Sequence, residues 1–332
     1  MKKTLLLTIL LLWGSFGFAK TIDSLNLTSD SILISEKRKQ YYQITDNRVL
    51  IYQRPKLSDA VNNIPKNFIN SALDLVSKSY YPYSLAALGA TAAMVPADPW
   101  LIKESRNLGE SLGLSEDHYY KNLGFLKIIP GNVNSAFYFL GNGTTVFLIS
   151  GGLATYGLIQ NDYRSLSTSL QLIESLVVTG LFVQPFKRLS GRESPFVTAG
   201  DGRTHSRWHF APSFKEYHHH TSKYDAMPSG HLTTAMSALV IIAENYPEKV
   251  WIKPVGYSLL GVLCFEMMQS KVHWGSDYPI ALLLGYVIGK NIAGERIVKK
   301  ENNMAGRAKR YKLQFTASSV DAMQTIGLKL KM

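Results

Sequence analysis

Residues 168–195 read TSLQLIESLVVTGLFVQPFKRLSGRESP. The first part, 168–186, is an apolar run rich in Leu and Val with a single acid, Glu174. Its length and composition favour a helix over a strand. Lys187 and Arg192 then place cations at the helix C-terminus, the end of the macrodipole that favours them. Runs of the same kind recur at about 84–96, 133–159, 231–245, 254–270 and 278–293. Pro185, Pro195, Pro228, Pro247, Pro254 and Pro279 stand at or near their edges as punctuation. The pattern predicts an all-α fold: a bundle of about six helices, membrane-associated, with the active site at one end.

The chain has 332 residues, 46% apolar and 18% charged, with a formal charge of +12 and a mean hydropathy of -0.02. That excludes a disordered or collagen-like chain. The single cysteine excludes an internal disulfide and a Cys-rich zinc site. The charge suits an anionic partner. Met1-Lys2-Lys3, the apolar Thr4–Phe18 and the small residues Gly17 and Ala19 have the form of a signal peptide covering 1–19. Export argues against a nucleic-acid partner. It points to the periplasmic face of a bacterial membrane.

The domain plan predicted is a signal peptide at 1–19, a polar leader at 20–80 that is extended or loosely helical, a helical domain at 81–295, and a basic tail with short strands at 296–332. A span needs about 20 apolar residues, so 84–96 reads as too short to cross. Glu174 and Glu266, inside apolar runs, are expected to face the bundle interior. The spans can be counted in two ways, with the long 187–230 loop on one side of the membrane or the other.

Three blocks carry chemistry, each at the end of an apolar helix. The first is Lys187 to Pro195. The second is Pro228-Ser229-Gly230-His231. The third is His273-Trp274-Gly275-Ser276-Asp277. Ser229 and Gly230 open a helix whose free N–H groups suit phosphate oxygens. His231, on that first turn, suits general-acid work. His273 with Asp277 four residues on suits a nucleophile whose tautomer a carboxylate fixes. Lys187 and Arg192 are candidates to grip an anionic ester.

These blocks resemble the type-2 phosphatidic acid phosphatase superfamily, which includes the vanadium haloperoxidases. Its pattern is Lys-x6-Arg-Pro, Pro-Ser-Gly-His and Ser-Arg-x5-His-x3-Asp, and the resemblance covers about residues 130–295. It implies a helical bundle that hydrolyses a lipid phosphomonoester or diphosphate through a phosphohistidine, with no metal and no cofactor. His273 would attack phosphorus, Asp277 would orient it, and His231 would protonate the leaving oxygen. Lys187, Ser229 and Gly230 would hold phosphate oxygens. Two family arginines are replaced, by Ser194 and by Met267, with Glu266 at the family serine. Arg192 is the candidate to replace one of them on the phosphate. The partners implied are a phosphorylated lipid and the membrane. The competing readings are a soluble periplasmic acid phosphatase, a vanadate-dependent peroxidase and a non-catalytic phospholipid-binding protein with a decayed site. In the 201–225 loop, Trp208, Phe210, Phe214 and Tyr217 are expected to form an apolar lip. Its histidines have no diagnostic metal spacing.

Overall fold

The computed structural model describes residues 39–45, 47–124, 126–301, 312–320 and 323–331. The signal-peptide reading, residues 20–38 of the leader and residues 302–311 of the basic tail lie outside them. The described residues form two compact units. One unit takes 41–51 and the residues from 299 onward. It comprises most of strands β1 (Lys39–Thr45) and β2 (Arg48–Gln53). A later strand, Val298–Glu301, completes a three-stranded sheet with β2 at its centre. Lys312–Val320 and Met323–Lys331 pair antiparallel, Lys312 opposite Lys331.

The second unit is helical. Its helices are α1 (Asp59–Asn62), α2 (Ile64–Leu75), α3 (Tyr81–Met94), α4 (Asp98–Ser111), α5 (Val133–Phe139), α6 (Gly143–Ile159), α7 (Tyr163–Ser190), α8 (Pro195–Gly200), α9 (Phe214–His219), α10 (Gly230–Asn245), α11 (Ile252–Gln269) and α12 (Tyr278–Arg296). A short hairpin, Tyr120–Leu123 with Leu126–Pro130, precedes α5. The all-α expectation stands, since the apolar runs coincide with α3, α5–α6, α7, α10, α11 and α12. The 39–75 stretch is more ordered than a loose leader. β-Branched and aromatic residues make its strands, and α2 sets Phe68 against Phe182, ring centroids 5.1 Å apart.

α10 and α12 pack most closely, with α7 beside both. Val178, Phe182, Ile241, Leu284, Ile288 and Ile292 fill the space between them. Gly285 makes that approach possible. A Cβ there would lie 2.5 Å from the Thr233 carbonyl oxygen, below any tolerable contact.

Among the described residues, two helical stretches are long and apolar enough to cross a membrane, Tyr81–Ser111 and Tyr163–Ser190. The first corrects the reading of 84–96 as too short. Pro96 and Pro99 do not end the helix, because a 3₁₀ turn at Val95–Ala97 carries α3 into α4. The run 133–159, continuous in apolar composition, breaks at 140–142 and bends by 68°. Asn142 caps the new helix by accepting from the Thr144 N–H at 2.9 Å. Glu174 faces inward, accepting from Asn67 Nδ2 at 2.6 Å and pairing with Arg296.

Candidate active site

α7 ends at Gly191, a left-handed cap with φ of +50° whose N–H returns to the Lys187 carbonyl at 2.8 Å. Beyond it the long loop folds back on the site. His209 N–H donates to Gly191 O, Glu193 N–H to Arg207 O and Ala226 N–H to Arg192 O, at 2.9, 3.1 and 3.1 Å. Glu193 anchors this loop. Its buried carboxylate takes His209 Nε2 at 3.0 Å, the Arg203 guanidinium at 2.7 Å and the Arg207 N–H at 3.2 Å. Burial alone would raise its pKa, but these bonds outweigh that and lower it.

The three blocks meet at one end of the bundle. Ser229 caps α10, accepting from Leu232 N–H at 3.4 Å. Gly230 lies beside Lys187: a Cβ on it would sit 3.8 Å from Nζ. Lys187, almost wholly buried, pairs with Asp225 at 3.2 Å. His231 and His273 stand edge to face, ring centroids 6.4 Å apart. A cleft of about 230 Å³ is lined by Lys187, Gly230 and His231 together with Gln184, Thr179 and Gly141. Burial, then His273 and Lys187, lower the His231 pKa to about 3.

His273 Nδ1 lies 3.5 Å from Asp277 Oδ2, at ion-pair distance but out of hydrogen-bond alignment. Asp277 Oδ2 also accepts from Trp274 N–H at 2.8 Å. Its other oxygen accepts from Arg192 Nη1 at 2.6 Å.

That contact changes the expectation for Arg192. Its side chain is 1% exposed, and its donors go to Asp277, Ser276 Oγ at 2.7 Å, Asp98 at 2.6 Å and Ser206 Oγ at 3.1 Å. The guanidinium lies over the Trp208 and Trp274 rings, 4.8 and 5.4 Å from their centroids. Arg192 is thus tied to carboxylates rather than turned to the cleft. A guanidinium this deep needs anionic partners, and Asp98 and Asp277 supply them.

The positions of the two replaced arginines are closed. Ser194 donates to the Ser222 carbonyl at 2.8 Å, and Met267 is fully buried with its sulfur 3.6 Å from Ser229 Oγ. The Ser229 hydroxyl is therefore directed at Met267 as well as capping α10. Of the aromatic lip, Phe210 and Phe214 are exposed, Tyr217 is buried, and Trp208 covers Arg192. Among the described residues, no group of three or more His, Cys, Asp or Glu is arranged to hold a metal ion. Sequence reasoning missed Asp98, which stands between Pro96 and Pro99 and reads as helix punctuation. It also missed the partnering of Ser276, although that residue lies inside the third block.

A family model described as the PAP2 superfamily matches residues 168–298, the segment that holds all three blocks. Over that segment the chain is similar to the PAP2 superfamily. No curated protein matches the chain significantly. A solved structure described as the first transmembrane PAP2 type phosphatidylglycerolphosphate phosphatase from Bacillus subtilis is 14% identical over 72% of this chain and 96% of its own, with a TM-score of 0.33. That likeness carries no argument about substrate. Asp98, bonded to Arg192 and Ser276, lies outside the matched segment.

Proposed function

We propose that this chain is a membrane-associated phosphatase that hydrolyses a lipid phosphomonoester or diphosphate through a phosphohistidine. The observation that carries the reading is the convergence of His231, His273, Lys187 and the α10 N-terminus, all inside the PAP2 match. Lys187 and the Gly230 N–H hold phosphate oxygens. Asp277 faces Nδ1 of His273, leaving Nε2 to attack phosphorus. The P–O ester bond breaks as Nε2–P forms, and the leaving oxygen takes a proton from His231. His231 then takes a proton from water, whose oxygen attacks phosphorus and releases His273 and inorganic phosphate. A bound phosphate dianion offsets the field of Lys187 and His273. It thereby raises the His231 pKa toward the range a general acid needs. The two membrane-length helices support a lipid substrate, reached from the periplasmic face after export. Ser229 shapes the α10 N-terminus, and Arg192 holds Asp277.

A second reading has one observation in its favour: Met267, buried against Ser229, gives the site no cation where the resemblance expects one. That suits a protein that binds phospholipid without turning it over. The test is phosphate release by the full chain in detergent with chelator, from a panel of lipid phosphates and a soluble phosphomonoester. Release by wild type and none by His273→Ala is expected. Binding without release, unchanged in His273→Ala, would establish the second reading instead.

A further inference from the structure

Glu266 stands where the resemblance expects serine, and its side chain is almost completely buried on α11. Its Oε1 lies 2.5 Å from His118 Nε2, while Oε2 finds no hydrogen-bond partner among the described residues. A buried carboxylate needs a partner of this kind. The His118 ring stacks on Tyr138, with centroids 4.3 Å apart and planes 23° apart. Tyr138, on α5, meets the His231 ring at 4.4 Å, and its hydroxyl lies 3.5 Å from His231 Nδ1. Residues from α11, the segment before the hairpin, α5 and α10 thus form one continuous stack behind the general acid.

We propose that Tyr138, backed by His118 and Glu266, is a positioning residue that sets the tautomer of His231. The proposal rests on the phosphatase reading for its purpose. A neutral imidazole has one donor nitrogen and one acceptor. The nitrogen that protonates the leaving oxygen and then takes a proton from water is the acceptor in the neutral ring between those steps, so the ring proton belongs on the other nitrogen. The Tyr138 hydroxyl accepts from Nδ1–H, so the neutral ring keeps its proton on Nδ1 and Nε2 is the nitrogen that gives and takes the proton. The Glu266–His118 contact holds the Tyr138 ring in place by tying its stacking partner to α11. The other charged groups around His231 are Lys187 on α7 and His273 after α11, with Asp225 beside Lys187 and Asp277 beside His273.

The test uses nitrogen-15 histidine spectra of the full chain in detergent micelles, with the His231 signals assigned by His231→Gln. Wild type is expected to show the neutral tautomer protonated at Nδ1. Tyr138→Phe, which removes only the hydroxyl, is expected to mix the two tautomers. Glu266→Ala is expected to do the same, and Glu266→Gln, which still accepts from His118, to restore the wild-type signals. In kinetics, Tyr138→Phe is expected to lower kcat about tenfold with KM nearly constant. The loss should be smaller for a nitrophenyl ester, whose leaving oxygen needs less acid assistance. An unchanged His231 tautomer in both Tyr138→Phe and Glu266→Ala overturns the proposal, even if wild type is active. If wild type releases no phosphate yet the tautomer shifts, the positioning stands and the phosphatase reading falls. If Tyr138→Phe fails to fold, the Glu266→Ala and Glu266→Gln pair makes the comparison.

Discussion

Replacing Arg192 by methionine separates two roles for that residue. The side chain is 1% exposed, and both carboxylates it binds, Asp98 and Asp277, are buried, each 2.6 Å from a guanidinium nitrogen. Methionine fills much of the volume but leaves two acids without their cation. Removing one partner from a buried ion pair costs about 3–5 kcal/mol. For a chain of this size, with an unfolding entropy of about 0.7 kcal/mol/K, that corresponds to a fall in apparent Tm of roughly 4–7 °C. Asp277 would also lose the partner of its Oδ1, and a displacement of about 1 Å at such a site costs about a hundredfold in rate. Thermal unfolding in detergent and phosphate release would be measured on Arg192→Met, Asp98→Asn and the double variant. Arg192 and Asp98 are in direct contact, so the double-mutant cycle is expected to show a coupling of about 1–3 kcal/mol. An unchanged Tm with kcat retained and KM raised would refute the reasoning. It would return Arg192 to the phosphate.

Asp225→Asn frees Lys187 from its carboxylate at 3.2 Å, so inorganic phosphate should inhibit more strongly, by up to about fivefold since the pair is partly solvated; product-inhibition constants check this. Burial, then His273 and Lys187, hold the His231 pKa at about 3 against 6.5 when unfolded. The unfolded chain therefore takes up the extra proton as pH falls, and stability that is full above 6.5 declines below it, by about 1.4 kcal/mol at pH 5.5. The Tm drop between pH 7.5 and 5.5 should shrink in His231→Gln. Gly285→Ala pushes a Cβ to 2.5 Å from Thr233 O and should cost about 1–3 kcal/mol, whereas Gly294→Ala, with open space at the Cβ, should not destabilise; melting in detergent compares the two.

The three chemical blocks were readable because their residue types and spacing are local. Lys187, Gly230, His231, His273 and Asp277 sit at helix ends, where sequence alone marks a boundary. The apolar runs located the helices for the same reason. The break at 140–142 was legible in Gly141-Asn142-Gly143, a turn signal that is lost when 133–159 is read as one apolar run. Gly141 is needed there by a distant contact: a Cβ on it would lie 2.8 Å from that of His231. Arg192 was misread because its position two residues from a family arginine suggested the same task. Only the fold brings Asp98, 94 residues away in sequence, to its guanidinium. His118 and Tyr138 carry no local mark at all, since their relation to His231 exists only across elements.

The helical stretch Tyr81–Ser111 carries Asp98 just after its 3₁₀ turn, bonded to both Arg192 and Ser276. That contact sets a limit on modularity. A fragment cut to residues 168–298 would keep every histidine of the proposed reaction, yet its most buried cation would lose one of its two counterions. Transplants, chimaeras and minimal versions of this protein must therefore begin upstream of residue 98. In this chain the heritable unit of the site is larger than the segment that matches the PAP2 superfamily.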